Sequence, residues 1–132
     1  MSRIQVAIST VYALWALAFT LLYAGGPLYV FGFGNSLMAL WALVMLAHAL
    51  AFGVIAASGK GSRLLLVTAV SFTALNLWPA YLYSQWLPRG LVVLHLPAEL
   101  LPLLHLAPVV LLAITVLTFA RARGAVGERG GI

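Results

Sequence analysis

The stretch Ser58-Gly59-Lys60-Gly61-Ser62-Arg63 decides how this chain is read. It sets two glycines, Gly59 and Gly61, and two cations, Lys60 and Arg63, between one long apolar run that ends near residue 58 and another that begins at 64. A helix does not pass smoothly through Gly-Lys-Gly, so the two runs fold back on each other as an antiparallel hairpin. Each run holds about 20 apolar residues, the length that crosses a bilayer. The two cations therefore mark one membrane surface.

The same pattern continues outward in both directions. Arg3 precedes an apolar run over 6–24, and Arg121, Arg123 and Arg129 follow one over 102–120. With alternating directions, six of the seven Lys and Arg residues fall on one side, and only Arg89 falls on the other. Loops that retain Lys and Arg stay in the cytoplasm. The sequence thus predicts an all-α membrane protein, with four transmembrane helices at about 6–24, 36–58, 64–83 and 102–120. They form one up-down bundle domain over 1–123, N-in and C-in, in the cell (plasma) membrane. Residues 124–132 are Gly-rich and polar and are expected to be a mobile cytoplasmic tail.

Composition agrees with that class. The chain is 64% hydrophobic and 7% charged, whereas soluble domains carry about a quarter charged residues. In water, 132 residues are too few to bury so much apolar surface. The net charge of +5 comes from basic residues spread over separate loops, with no run of the kind that grips phosphates, so no nucleic-acid partner is expected. The absence of cysteine excludes disulfides and thiolate metal sites. Arg3 followed by 6–24 resembles a secretory leader in outline. The run is long for one, however, and Gly25-Gly26-Pro27 lacks a small-x-small cleavage pattern, so it is read as a retained span.

The connections are uneven. Residues 25–35 (GGPLYVFGFGN) cannot continue a helix, yet carry Tyr29, Phe31 and Phe33 and should lie at the outer interface. Pro79 is expected to kink the third span. Pro97, Pro102 and Pro108 interrupt the apolar stretch 91–120. Starting the fourth span near Pro102, where proline suits a first turn, leaves 91–101 as an apolar interfacial or re-entrant segment. One long helix kinked at Pro108 is the alternative. Ala13-Leu14-Trp15-Ala16-Leu17 recurs at 39–43, but the flanks differ, and Ala/Leu-rich helices produce such matches by composition.

Ionisable groups in lipid are functional candidates by default. Here they are His48, His95, Glu99 and His105, with Asn76 as the strongest neutral polar residue. Counted from Lys60 and Arg63, His48 lies about 18 Å deep and Asn76 about 20 Å deep, which predicts an interhelical His48–Asn76 hydrogen bond. Such bonds are worth about 0.6 kcal/mol on average in membrane proteins. The competing reading makes His48 and His105 ligands of haem b, or contacts for a quinone. His95 and Glu99 are spaced to share a helical face, if that piece is helical. Eight aromatics, among them Tyr23, Trp78, Tyr81, Tyr83 and Trp86, are expected in an outer aromatic belt. On the second span Ala49, Gly53 and Ala57 form a small-residue row that admits a close helix. Trp41, Met45, His48, Phe52 and Ile55 form a second stripe, read as packing.

No phosphate loop, nucleophile–base set, carboxylate pair or recognised metal-ligand spacing is present, and no catalytic activity of the chain on its own is expected. The first functional expectation is a non-catalytic subunit of a larger membrane complex, respiratory or otherwise energy-converting. Its partners are the lipid bilayer and other membrane subunits or further copies of itself. A haem b- or quinone-binding electron-transport subunit using His48 and His105 is the second. A small homodimeric transporter with Glu99 as coupling carboxylate is the third.

The orientation is directly testable, because a chain without cysteine accepts single reporters. In intact cells an impermeant maleimide should label Gly34→Cys and spare Ser62→Cys. The opposite result reverses the topology.

Overall fold

The computed structural model describes residues 2–24, 35–86, 92–93, 96–97 and 100–130. There are four helices, α1 (Arg3–Ala24), α2 (Asn35–Ser58), α3 (Ser62–Trp86) and α4 (Leu100–Gly130), with two-residue strands β1 (Val92–Val93) and β2 (Leu96–Pro97) before α4. All four helices are long and apolar enough to cross a membrane.

Local chemistry sets the ends. At the start of α1 the Gln5 amide donates to Ser2 Oγ and the Ser2 amide donates to Gln5 Oε1, each at 3.2 Å. This reciprocal box satisfies two of the donors that a helix start leaves unpaired. The turn from α2 to α3 depends on two left-handed residues, Gly59 (φ 66°) and Gly61 (φ 98°). Its carbonyl and amide ends are closed by Gly59 N–H to Ile55 O (3.0 Å) and Leu65 N–H to Gly61 O (2.8 Å). A Cβ at Gly59 would meet nothing within 4 Å, so glycine is required there by backbone angle and not by space.

The helices pack as two close pairs, α1 with α2 and α3 with α4, and the pairs join through α2–α3 and α1–α4. Side-chain pairings give the register. Tyr12 meets Phe52 and Tyr23 meets Trp41 across α1–α2. His48 meets Ser71, Met45 meets Asn76 and Trp41 meets Trp78 across α2–α3. Tyr23 meets His105 across α1–α4. With these pairings Arg3, the Lys60 turn and Arg121 lie at the same end of the bundle, as charge placement predicts.

The core is aromatic. Tyr12 and Phe52 stack at 4.6 Å between centroids. Phe72 stands edge-on to both, at 5.9 and 5.8 Å, and lies 6.0 Å from Phe19. Met45, Phe52 and Ile55 are buried and Trp41 packs against this cluster, so the stripe on α2 is the packing face. The outside is aliphatic: Leu14, Leu43, Val67 and Val110 are each more than 60% exposed.

Three sequence expectations change. Helix α4 starts at Leu100 with Pro102 in its first turn, but it runs on to Gly130 and includes most of the expected mobile tail. Arg121, Ala122, Arg123, Ala125 and Glu128 favour a helix, and no proline follows them. Its 31 residues make a rod of about 46 Å, longer than the ~30 Å hydrocarbon core. In the stretch 91–101, β1 and β2 pair antiparallel, Val93 opposite Leu96, so this part is a tight hairpin and the single long helix is not formed. Tyr23 is 3% exposed and belongs to the core, not to the belt, whereas Tyr81 at 63% is outward.

Phe72 contacts rings from two other helices, α1 and α2, so Phe72→Ala should destabilise the bundle by about 3 kcal/mol, the low end for such truncations, because lipid replaces water as the reference. Leu43→Ala should stay within about 0.5 kcal/mol, as expected of an outward side chain. Unfolding in detergent monitored by circular dichroism separates the two.

Candidate functional site

Polar side chains inside an apolar bundle must find partners, and the nearest acceptor is the carbonyl one turn back. Most take it. Ser9 donates to Gln5 O at 2.8 Å, Thr20 to Ala16 O at 2.8 Å, Thr73 to Ala69 O at 2.8 Å and Thr115 to Leu111 O at 2.7 Å. These groups are buried, and each commits its only hydroxyl hydrogen to its own helix.

Both histidines of the spans follow the same rule. His105 Nδ1 lies 2.7 Å from Leu101 O, and His48 Nδ1 lies 2.8 Å from Val44 O. A carbonyl only accepts, so Nδ1 carries a hydrogen in each ring, and the tautomer with that single hydrogen leaves Nε2 as the acceptor. Tyr23 Oη then donates to His105 Nε2 at 2.8 Å, and Ser71 Oγ donates to His48 Nε2 at 3.0 Å. The settings differ in depth. His105 is fully buried, stacked on Phe19 at 4.4 Å and 15°. His48 is half-buried, its partner Ser71 faces outward, and the pair sits at the rim of the α2–α3 seam.

The expected His48–Asn76 bond is not formed. Asn76 Nδ2 donates to Phe72 O at 2.8 Å and faces Met45 Sδ at 3.9 Å. The hairpin is symmetric about Lys60, so counting α3 from Arg63 placed Asn76 about one turn too shallow. His48 is level with Ser71 and Phe72 instead.

Nor does the structure bring His48 and His105 together. Phe72 lies 5.8 Å from the His48 ring, and Phe19 lies between Phe72 (6.0 Å) and His105 (4.4 Å). A haem ligated by His105 would have to displace the Phe19 ring from its face and the Tyr23 hydroxyl from Nε2. The two residues do not fit that group as arranged. Among the described residues no cluster of three His, Cys, Asp or Glu side chains is placed to hold a metal ion.

The small-residue row on α2 divides. Ala49 is buried, Gly53 is half-buried with nothing within 4 Å of an added Cβ, and Ala57 is exposed. Among the described residues no neighbouring backbone uses Gly53 for close approach. His95, Glu99 and Arg89 lie outside the described residues. Leu96–Pro97, between the first two, are extended.

Sequence reasoning missed the polar lining itself. Gln5, Ser9, Tyr12, Thr20 and Tyr23, with Ala16 between Tyr12 and Thr20, lie on one buried stripe of α1 at steps of three to four residues, a period present in the sequence. These hydroxyls and the Gln5 amide carry no charge, so a search for ionisable groups in lipid does not reach them. Comparison with protein families, with curated proteins and with solved structures finds no match to this chain.

His105→Ala should cost about 2–4 kcal/mol, since it removes a fully buried, stacked ring. His48→Ala should cost less than about 1 kcal/mol, the range of interhelical hydrogen bonds in membranes. Parallel thermal melts of the two variants measure the difference.

Proposed function

We propose that this chain is a small, non-catalytic integral membrane subunit of a larger membrane assembly. It lies in the cell (plasma) membrane with both termini in the cytoplasm, and a respiratory or other energy-converting complex is the natural host. The observation that carries this reading is the commitment of the interior polar groups: the hydrogens of Ser9, Thr20, Thr73, Thr115, His48 and His105 go to backbone carbonyls of their own helices. Such groups hold helices in place. They do not present donors to a substrate.

The exterior supports the same reading. Aliphatic side chains are exposed on all four helices, which suits acyl chains or apolar helices of neighbouring subunits. The clustering of Arg3, Lys60, Arg63 and Arg121 at one end favours the inward orientation of that end. A haem b- or quinone-binding role for His48 and His105 draws no support from their separation and packing. A homodimeric transporter coupled through Glu99 has no structural observation in its favour.

Extraction in mild detergent should yield the chain in a particle with other subunits at fixed stoichiometry, identified by mass spectrometry. A monodisperse particle of this chain alone would overturn the proposal. So would a Soret band that His105→Ala abolishes.

A further inference from the structure

Two fully buried side chains break the rule of self-satisfaction. Tyr12 Oη and Asn76 Oδ1 have no hydrogen-bond partner in the protein, although both residues are 0% exposed. A buried polar atom left unpaired costs about 1–3 kcal/mol, and such atoms are rare in native structures. Here the two flank one turn of α3. The Tyr12 hydroxyl points toward the hydroxyls of Thr73 and Thr115 without closing a hydrogen bond to either. Asn76 folds back along the same helix to Phe72 O, one turn from Thr73.

The helix opposite adds to the site. Thr73 Oγ1 reaches toward Pro108 O at 3.5 Å, and Pro108 is itself fully buried. Proline has no amide hydrogen, so the Leu104 carbonyl loses its ordinary helical donor on the side that Pro108 occupies. This part of the interior thus offers one donor, Tyr12 O–H, and several acceptors spread over about two turns of α3 and α4: Asn76 Oδ1, the lone pairs of Thr73 and Thr115, and the Leu104 carbonyl.

We propose that Tyr12, Thr73, Asn76 and Thr115 form an internal hydration site that holds water within the bundle. Water matches the inventory, because it donates twice, to Asn76 Oδ1 and to a threonine or carbonyl oxygen, and accepts from Tyr12. An anion would find one donor only. A cation would be buried among neutral oxygens, and the carboxylate residue of α4, Glu128, stands 13 residues beyond Thr115, about 20 Å along the helix, so the charge would go unbalanced, which is costly. Buried waters usually make about three hydrogen bonds to groups of this kind. The site lies inside the bundle, so it does not depend on which assembly the chain joins.

Water-edited solid-state NMR of the isotope-labelled full chain in liposomes tests this. Magnetisation from water should reach the Thr73, Thr115 and Asn76 side chains, and Tyr12→Phe with Asn76→Leu should abolish that transfer while signals of the Lys60 turn persist. Failure of the wild-type core to receive it, at mixing times that polarise the turn, overturns the proposal. Melting adds an independent reading. Tyr12→Phe should lower Tm if the hydroxyl binds water, and an unchanged or raised Tm would show that removing it relieves an unpaired group. Tm should be the same in sodium, potassium and choline chloride. A rise specific to sodium would assign the site to a cation and overturn the hydration reading.

Discussion

Everything in this bundle depends on packing among rings, and Phe72 is at the centre of it. In a bilayer, acyl chains solvate leucine as well as another helix does, so apolar surface by itself does not drive helices together. What remains is close contact with defined geometry. Phe72 supplies this to α1 through Tyr12 and Phe19 and to α2 through Phe52 and His48. Stacked and edge-on arrangements of this kind are worth about 0.5–1.5 kcal/mol each beyond area. Phe19 passes the contact to His105, and Tyr23 passes it to Trp41 and Trp78. The chain of rings runs from the level of Phe52 to the level of Trp78 and ties all four helices.

Polar groups obey a second constraint imposed by the same solvent. With no water at the surface of a span, every hydroxyl, amide and imidazole must be satisfied inside the protein. The carbonyl one turn back solves this locally, at the expense of availability: a threonine hydrogen directed to its own backbone is lost to ligands. The result is an interior that is polar in composition yet largely closed in chemistry. Among the described residues the exceptions are Tyr12 Oη and Asn76 Oδ1, on fully buried side chains, and Trp41 Nε1, on a half-buried one.

How much of this was legible can be argued from particular residues. The Gly59-Lys60-Gly61 turn, Pro102 as a first-turn residue and the separation of basic from apolar positions all express local rules, and the helices follow them. The Ser2/Gln5 box was equally local and was visible as S-x-x-Q. Tyr23, by contrast, has the composition of an interfacial residue and the position of a core one. His48 and Asn76 looked level because depth was counted from charges, whereas the true reference is the symmetry point of the turn. The residues that lie beyond the described parts, His95 and Glu99 among them, gain nothing further from the fold.

The amino-acid sequence alone determined that this chain forms four apolar helices with their cations gathered at one end, because span length, turn chemistry and charge placement are properties of consecutive residues. Only the tertiary structure decided which buried groups meet: that Tyr23 reaches His105, that Phe19 and Phe72 separate the two histidines, and that Tyr12 and Asn76 go unpaired. Those outcomes depend on the rotation and register of one helix against another. In a bilayer these are set by how rings and hydroxyls interlock, and helical periodicity does not encode them.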